Sequence, residues 1–537
     1  QSIDIYAGNR RSIRHEFRAS RFSVIDDANY YMHLYAKSIV LKPNELSNIQ
    51  FLIDILESKK LNKAENISEI NSVLESMIYL DNEQTARKVQ SYMALENFNK
   101  AYSTVKNMFE NSEHHSSNDY VLYSQVLSFI GRSEEAYQLI TFDRKRNVSL
   151  LNLTESLRLC VLLSDYKESL KLLKLAEIHQ VDLGEMHKRK AYFGNCMLEE
   201  AFFTFTELPL VATVKKYFPK QALSLDKIKD KESLKGDLLL LSIFGPGDEI
   251  RFASIYNTLL GQLNKSSLTI SCTPRLYPLF SRSFPEVNFI AVPRPRTNDV
   301  IKLDEYKYVP GSDILGVVND LAVSEIIRCD KYFFVTDLLH HCLPNYESFK
   351  GTQYLLADDN KVKGYQQRLE FITGKIVGIT WRSSLNTHSR NEHYLTIEEL
   401  EPLFSIPGIT FVNFQYDQCD EELAWVEERY PGKLIDFKDV DHFNDFDSVA
   451  ALMNCVDLMI APCTTVVELA GALGCPTWLF SNSSEIDWRK IDAAGTDVWH
   501  NSISIVEGEM MGDKASLVKE LNKRLVTLSE KHEKKEC

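Results

Sequence analysis

Two stretches decide the fold: Gly378-Ile379-Thr380-Trp381-Arg382-Ser383-Ser384, and later Asp457-Leu458-Met459-Ile460-Ala461-Pro462-Cys463-Thr464-Thr465-Val466-Val467-Glu468-Leu469-Ala470-Gly471-Ala472-Leu473-Gly474-Cys475-Pro476. Each is a short, continuous apolar run that stops at small, hydroxylated or basic residues, and the second passes into a helical pattern. Runs of strand length without in/out alternation are strands covered on both faces, as in a parallel sheet. Hydroxyls and free amides at the start of the following helix attract anions, so this pattern builds a pocket for a phosphorylated ligand.

Outward from these stretches the same grammar repeats. Apolar runs at Asp237–Phe244, Leu268–Cys272, Val287–Val292, Lys331–Val335, Lys375–Trp381, Ile409–Phe414, Leu434–Phe437, Asp457–Ala461, Pro476–Phe480 and Ser502–Val506 are separated by helix-length segments. Strands alternating with helices predict parallel sheets wound on both sides. They divide near 358–373 into two Rossmann-like doubly wound domains, 236–365 and 374–525.

Upstream the period changes. Ala101, Ala136, Ser169 and Ala201 stand at equivalent places in similar segments, spaced by 35, 33 and 32 residues. Each follows a turn (Gly131, Ser164-Asp165, Gly194-Asn195) between two amphipathic helical patterns, which predicts a helical repeat array over 86–215 that resembles tetratricopeptide repeats. The segment 1–85 is also helical by pattern but out of register, and reads as a helical cap or irregular repeats. Such an array either stiffens the chain or offers a groove to a polypeptide partner.

Composition narrows the class. The chain has 537 residues, too many for one core, with 44% apolar and 25% charged residues. A net charge of −14 argues against binding nucleic-acid backbone. No apolar run reaches membrane-spanning length, and the first residues lack the apolar core of a signal peptide. The ten cysteines form no Cys-x-x-Cys pair, as expected for reduced thiols. The chain reads as cytoplasmic.

Three places carry chemistry. After the first strand, Gly245-Pro246-Gly247 permits a tight turn and puts Asp248 and Glu249 at the start of a helix. Carboxylates there either complement the helix dipole or act as a general base on an acceptor hydroxyl; Asp248 is favoured over Glu249. Trp381, Arg382, Ser383 and Ser384 offer a guanidinium, hydroxyls and turn amides to a phosphate, or form a surface turn around a buried Trp. Gln415 and Tyr416 end the next strand, where they can read a nucleobase edge. Thr464 and Thr465, with Glu468 in the first helical turn, present amides and hydroxyls to an anion. The acidic loop Asp439–Asp447 lacks the pattern of a calcium loop, and no metal ligand set is expected. Asp487-Trp488-Arg489 and Asp497-Val498-Trp499-His500 form either a pocket wall or a clamp between domains.

Taken together, Gly245-Pro246-Gly247-Asp248-Glu249-Ile250, Gly378–Ser384, Phe414-Gln415-Tyr416, Asp457–Pro476 and Asp487-Trp488-Arg489 resemble the GT-B glycosyltransferases, over 236–510. The likeness is to the heptosyltransferase-like and O-GlcNAc-transferase-like domains found behind tetratricopeptide repeats in bacteria. The resemblance implies metal-independent transfer, with no cofactor, of a sugar from a nucleotide-sugar donor lying between two Rossmann-like domains. It also implies a protein acceptor, flagellin among the candidates, held with help of the repeats; the donor is left open between CMP-nonulosonate, UDP-hexose and ADP-heptose. Transfer to lipopolysaccharide or capsule, and a non-catalytic nucleotide-binding interaction protein, are the alternatives.

Overall fold

The computed structural model describes residues 71–536 apart from 73, 76, 79, 96, 224–233, 264–266, 295–302, 384–392 and 511. Ser384 and most of the expected cap over 1–85 lie outside these residues. The chain divides into two compact units, Gln1–Leu183 and Gly184–Cys537.

In the first unit, helices α1 (Asn82–Ala94), α2 (Phe98–Asn111), α3 (Ser117–Phe129), α4 (Ser133–Arg146), α5 (Leu150–Leu162) and α6 (Tyr166–Ile178) form successive pairs. The next pair, α7 (Gly184–Gly194) and α8 (Leu198–Phe203), opens the second unit and is followed by α9 (Pro209–Tyr217). The repeat read from small residues has a backbone counterpart. Ala101, Ala136, Ser169 and Ala201 are all fully buried. Four residues before each, an amide reaches back five positions: Asn97 to Tyr92, Arg132 to Leu127, Asp165 to Cys160 and Met197 to Tyr192, at 2.8–3.0 Å. This is the six-to-one bond of a Schellman cap. It needs a left-handed residue just before the donor, and Gly131, Ser164 and Cys196 supply it with φ of 80°, 57° and 57°. Only the first of these is glycine, so the turn is imposed by the packing of its helices.

The second unit holds two sheets. Strands β1 (Asp237–Leu241), β2 (Ser267–Cys272), β3 (Asn288–Ala291) and β4 (Lys331–Phe334) form one, in order β3-β2-β1-β4. Strands β5 (Lys375–Ile379), β6 (Ile409–Asn413), β7 (Leu434–Ile435), β8 (Leu458–Ala461), β9 (Thr477–Phe480) and β10 (Ile503–Val506) form the other, in order β10-β9-β8-β5-β6-β7. All pairings are parallel. The fold is therefore a helical array followed by two doubly wound Rossmann-like lobes, as the strand pattern predicts. β1 and β8 are buried along nearly their whole length, which is why they read as unbroken apolar runs.

Strand order fixes where ligands go. In an open parallel sheet the crevice lies at the carboxyl ends of the strands, where the order reverses. In the first lobe the reversal falls between β1 and β4, in the second between β5 and β8. The segments following β1, β5 and β8 are those singled out from sequence. Two helices start there: α10 (Pro246–Ala253) after β1 and α11 (Thr465–Ala472) after β8.

One apolar cluster joins α8 and α9, the first lobe and one face of the second sheet; another covers that sheet's far face beneath α12 (Lys514–Glu536). Among the described residues no helix is long and apolar enough to cross a membrane.

Candidate functional site

Helices α10 and α11 pack against each other across the seam between the two lobes. A methyl group on Gly247 would lie 3.0 Å from the Thr465 Oγ1, so glycine permits the approach. Further along, Arg251 Nη2 donates to Glu468 Oε1 at 2.5 Å. The contacts ascend in the same order on both helices, which places both N-termini at the same end of the pair.

Neither N-terminus has a side-chain cap: the N-cap residues are Gly245 and Thr464, and the Thr464 hydroxyl caps nothing. Its Oγ1 is enclosed and has no hydrogen-bond partner. The first amides of a helix lack intrahelical acceptors and carry the positive end of the dipole. Two such ends side by side, with an unused hydroxyl between the lobes, are the kind of feature that attracts an anion.

Asp248 stands in the first turn of α10, its side chain 40% exposed and its Oδ1 3.4 Å from Arg251 Nη1. Burial raises its carboxyl above the ordinary range; Arg251 and Arg189 oppose the rise and Glu468 adds to it. The neighbouring Cys463 thiol is likewise exposed yet pushed up by burial. Both residues stand at the junction of the lobes, after β1 and β8, where the carboxyl ends of the strands place the crevice of an open parallel sheet.

Glu249 has a different task. It is buried, accepts from the Thr273 amide at 2.8 Å and pairs with Arg294, tying β2 and the loop after β3 to α10. Its carboxylate is spent inside the first lobe, away from the crevice.

In the second lobe, Gln415 is buried and uses its whole amide. Its Oε1 accepts from the Thr380 hydroxyl and the Trp381 and Arg382 amides at 2.7, 3.0 and 3.3 Å, while its Nε2 donates to the Arg382 carbonyl and Asp417. It welds the ends of β5 and β6. Trp381 is fully buried and donates to Glu422 at 2.9 Å. The Arg382 guanidinium pairs with Asp417 and Glu422 and reaches the Gln418 carbonyl, so its charge is already matched within the lobe. Tyr416 donates to the Ser383 hydroxyl at 3.1 Å. The structure thus brings Asp248, Thr464, Thr465 and Glu468 together, and holds Trp381, Arg382, Ser383, Gln415 and Tyr416 as a second, internally bonded group after β5 and β6.

Glu468 anchors a buried polar chain. Its Oε1 also accepts from Arg489 Nη1 at 3.1 Å, and Arg489 clasps Asp497 with two bonds of 2.7 and 2.8 Å. Burial alone would raise the Glu468 carboxyl, but Arg251 and Arg489 override it and hold it at about 2. Asp497 is likewise held well below its usual range against burial, chiefly by Arg489. His500 Nε2 meets the Tyr354 hydroxyl at 3.1 Å, and that hydroxyl donates to the Ile250 carbonyl of α10 at 2.8 Å. Arg489, Asp497 and His500 were visible in sequence only as charges in an aromatic loop, and Tyr354 carried no signal. Trp488 stacks on Phe193 at 4.1 Å and Trp499 packs edge-on against Phe202 at 5.8 Å, so that loop clamps α7 and α8 to the second lobe.

No family model matches the chain. Protein FlbA of Caulobacter vibrioides is 28% identical over 287 residues, 52% of this chain and 45% of its own length. The chain thus spans less than half of that relative. Three solved structures align with low scores. A glycosyl transferase family 9 protein from Veillonella parvula has TM-score 0.39 and 14% identity, over 56% of this chain and 97% of its own. The ADP-heptose lps heptosyltransferase II of E. coli has TM-score 0.34 and 13% identity, over 56% and 99%. The E. coli heptosyltransferase WaaC with ADP has TM-score 0.33 and 10% identity, over 55% and 99%.

Proposed function

We propose that the chain is a glycosyltransferase that moves a sugar from a nucleotide-sugar donor to a hydroxyl acceptor, acting in the cytoplasm on Ser or Thr of a protein such as flagellin. The observation that carries this reading is the pair of uncapped helix starts, α10 and α11, meeting at the lobe seam beside the enclosed Thr464 hydroxyl and the crevice-lining Asp248. Two doubly wound lobes whose ligand-binding edges converge suit a two-substrate reaction: one lobe holds the nucleotide, the other the acceptor. The sequence motifs that resemble GT-B enzymes fall at those edges.

In this reading the donor diphosphate rests on the first amides of α11 and the hydroxyls of Thr464 and Thr465. These dipoles stabilise the charge that develops on the departing phosphate, in fixed positions where no reorganisation is needed. Trp381, Arg382, Ser383, Gln415 and Tyr416 shape the nucleotide side as a rigid wall, Arg382 through backbone and position because its guanidinium is paired. Asp248 takes the proton from the acceptor hydroxyl. The helical repeats hold the protein acceptor. The reading assigns the reaction no metal and no cofactor, so turnover persists with a chelator present.

A thermal-unfolding screen with CMP, UDP, GDP and ADP tests it, since a ligand that binds only the native state raises its apparent stability. One nucleotide is expected to raise Tm, and co-expression with the matching donor pathway to add a sugar mass to flagellin. No response to any nucleotide overturns the reading; a mass increase on glycan acceptors and none on protein overturns the acceptor.

A further inference from the structure

We propose that Glu468 is a positioning residue that joins the two lobes: through Arg251 it fixes helix α10 to α11 and sets the charge around Asp248, so that the proton acceptor is held in register with the anion cradle. This rests on the reading of Asp248 as the base.

The polar chain described above closes on itself. It leaves α10 at Arg251, crosses to Glu468 on α11 and passes through Arg489 to Asp497, whose Oδ2 lies 3.5 Å from His500 Nδ1; from His500 it runs to Tyr354 and returns to α10 at the Ile250 carbonyl. Tyr354 is itself moored to α11, since its amide and that of Leu355 donate to the Ala472 carbonyl at 3.0 Å. The helix that carries Asp248 is therefore gripped at two points by groups moored to the other lobe. Around this ring the seam is apolar, with Ile250, Phe252, Val466 and Val467 buried in one cluster. Adhesion needs nothing more, and buried ion pairs are poor adhesives beside well-packed apolar side chains. Direction is what the charges add.

Glu468 is also not arranged for maximal stability. Only 1% of its side chain is exposed, yet one oxygen serves both arginines while Oε2 has no hydrogen-bond partner. A buried carboxylate with one oxygen lacking a hydrogen bond calls for an explanation, and a positioning role supplies one. The groups acting on Asp248 are Arg251 from its own helix, Glu468 from α11 and Arg189 from α7. Arg251 and Arg489 balance Glu468 and Asp497, so loss of either member of the Arg251–Glu468 pair leaves one uncompensated charge beside Asp248, of opposite sign in the two cases.

That opposition supplies the test. In the full-length protein, Asp248 is labelled with a water-soluble carbodiimide and glycine ethyl ester from pH 3 to 8 and read by peptide mass spectrometry. Labelling is taken relative to Asp304, whose side chain is 93% exposed. Glu468→Gln is expected to move the Asp248 midpoint down by about one pH unit and Arg251→Gln to move it up by about as much, with the double variant near wild type. Where a Gln variant does not fold, Arg251→Met or Glu468→Met takes its place, while Arg251→Lys and Glu468→Asp, which retain the charges, are the controls expected to keep the wild-type midpoint. Shifts in the same direction, or none, overturn the proposal. The labelling needs no donor or acceptor, so it stands apart from the reading of Asp248 as the base, which fails instead if Asp248→Asn leaves transfer unchanged.

Discussion

Gly247 and Thr465, one from each lobe, approach so closely that a methyl group on residue 247 would lie 3.0 Å from Thr465 Oγ1 and 3.4 Å from its Cα. The contact is where the starts of α10 and α11 meet. Gly247→Val forces the helix starts apart. Overpacking of this kind costs about 1–3 kcal/mol, so calorimetry is expected to show a lower Tm for the second unit. Transfer should fall more than tenfold, since the cradle loses its geometry.

Thr464→Val separates ligand binding from folding. The hydroxyl makes no bond within the protein, so its loss leaves thermal stability unchanged or raised. If it serves the donor phosphate, nucleotide affinity measured by titration calorimetry drops roughly tenfold, about 1.4 kcal/mol.

Asp248 and Glu249 are adjacent yet differently placed, the first partly exposed and the second buried against Arg294. Asp248→Asn is expected to lower kcat by about 100-fold or more with the fold intact. Glu249→Gln breaks a buried pair with Arg294 and is expected to cost about 3–5 kcal/mol of stability. Burial raises the Asp248 carboxyl, so the ionised base is lost as pH falls through that raised value, and the rate should decline on the acid side above the ordinary Asp range. The same shift means its favourable contribution to stability is present below the unfolded value and lost as pH rises through the folded one. Near neutral pH, Asp248→Asn should therefore melt no lower than wild type.

Acid should unlock the seam. Glu468 and Asp497 are held below their ordinary 4.5 and 3.8, Glu468 at about 2. Their contribution to stability is present above those ordinary values and is lost as pH falls through the lowered ones. Unfolding monitored by tryptophan fluorescence should thus steepen between about pH 4.5 and 2. Arg489→Met, which leaves both carboxylates short of a partner, should bring that transition to higher pH and cost about 3–5 kcal/mol near neutrality.

Much of the fold was legible because burial on both faces of a sheet writes itself as an unbroken apolar run, from Leu238–Leu241 to Ile503–Val506. The repeat was legible through Ala136 and Ser169, since only small side chains let paired helices approach. The segments of the site were legible too, because a helix that starts at Thr464 without a cap leaves its polar character in the chain. Partner choice was not legible. Arg382 looked free for a phosphate, yet Glu422, a full strand and turn later, pairs with it. Glu468 looked like a first-turn carboxylate facing a ligand, yet its two arginines come from different lobes.

The sequence by itself determined which residues lie at strand ends and helix starts, because hydrophobic periodicity and turn chemistry act over a few neighbours. Only the tertiary structure decided which of those polar groups remain available. Each charged side chain pairs with the nearest complementary partner that packing delivers, and that proximity is set by the strand order around β1, β5 and β8 and by the seam between α10 and α11. For that reason the Thr464 hydroxyl stays unbonded and Asp248 keeps only a long contact with Arg251, while Arg382, Gln415 and Glu249 are consumed within their lobes.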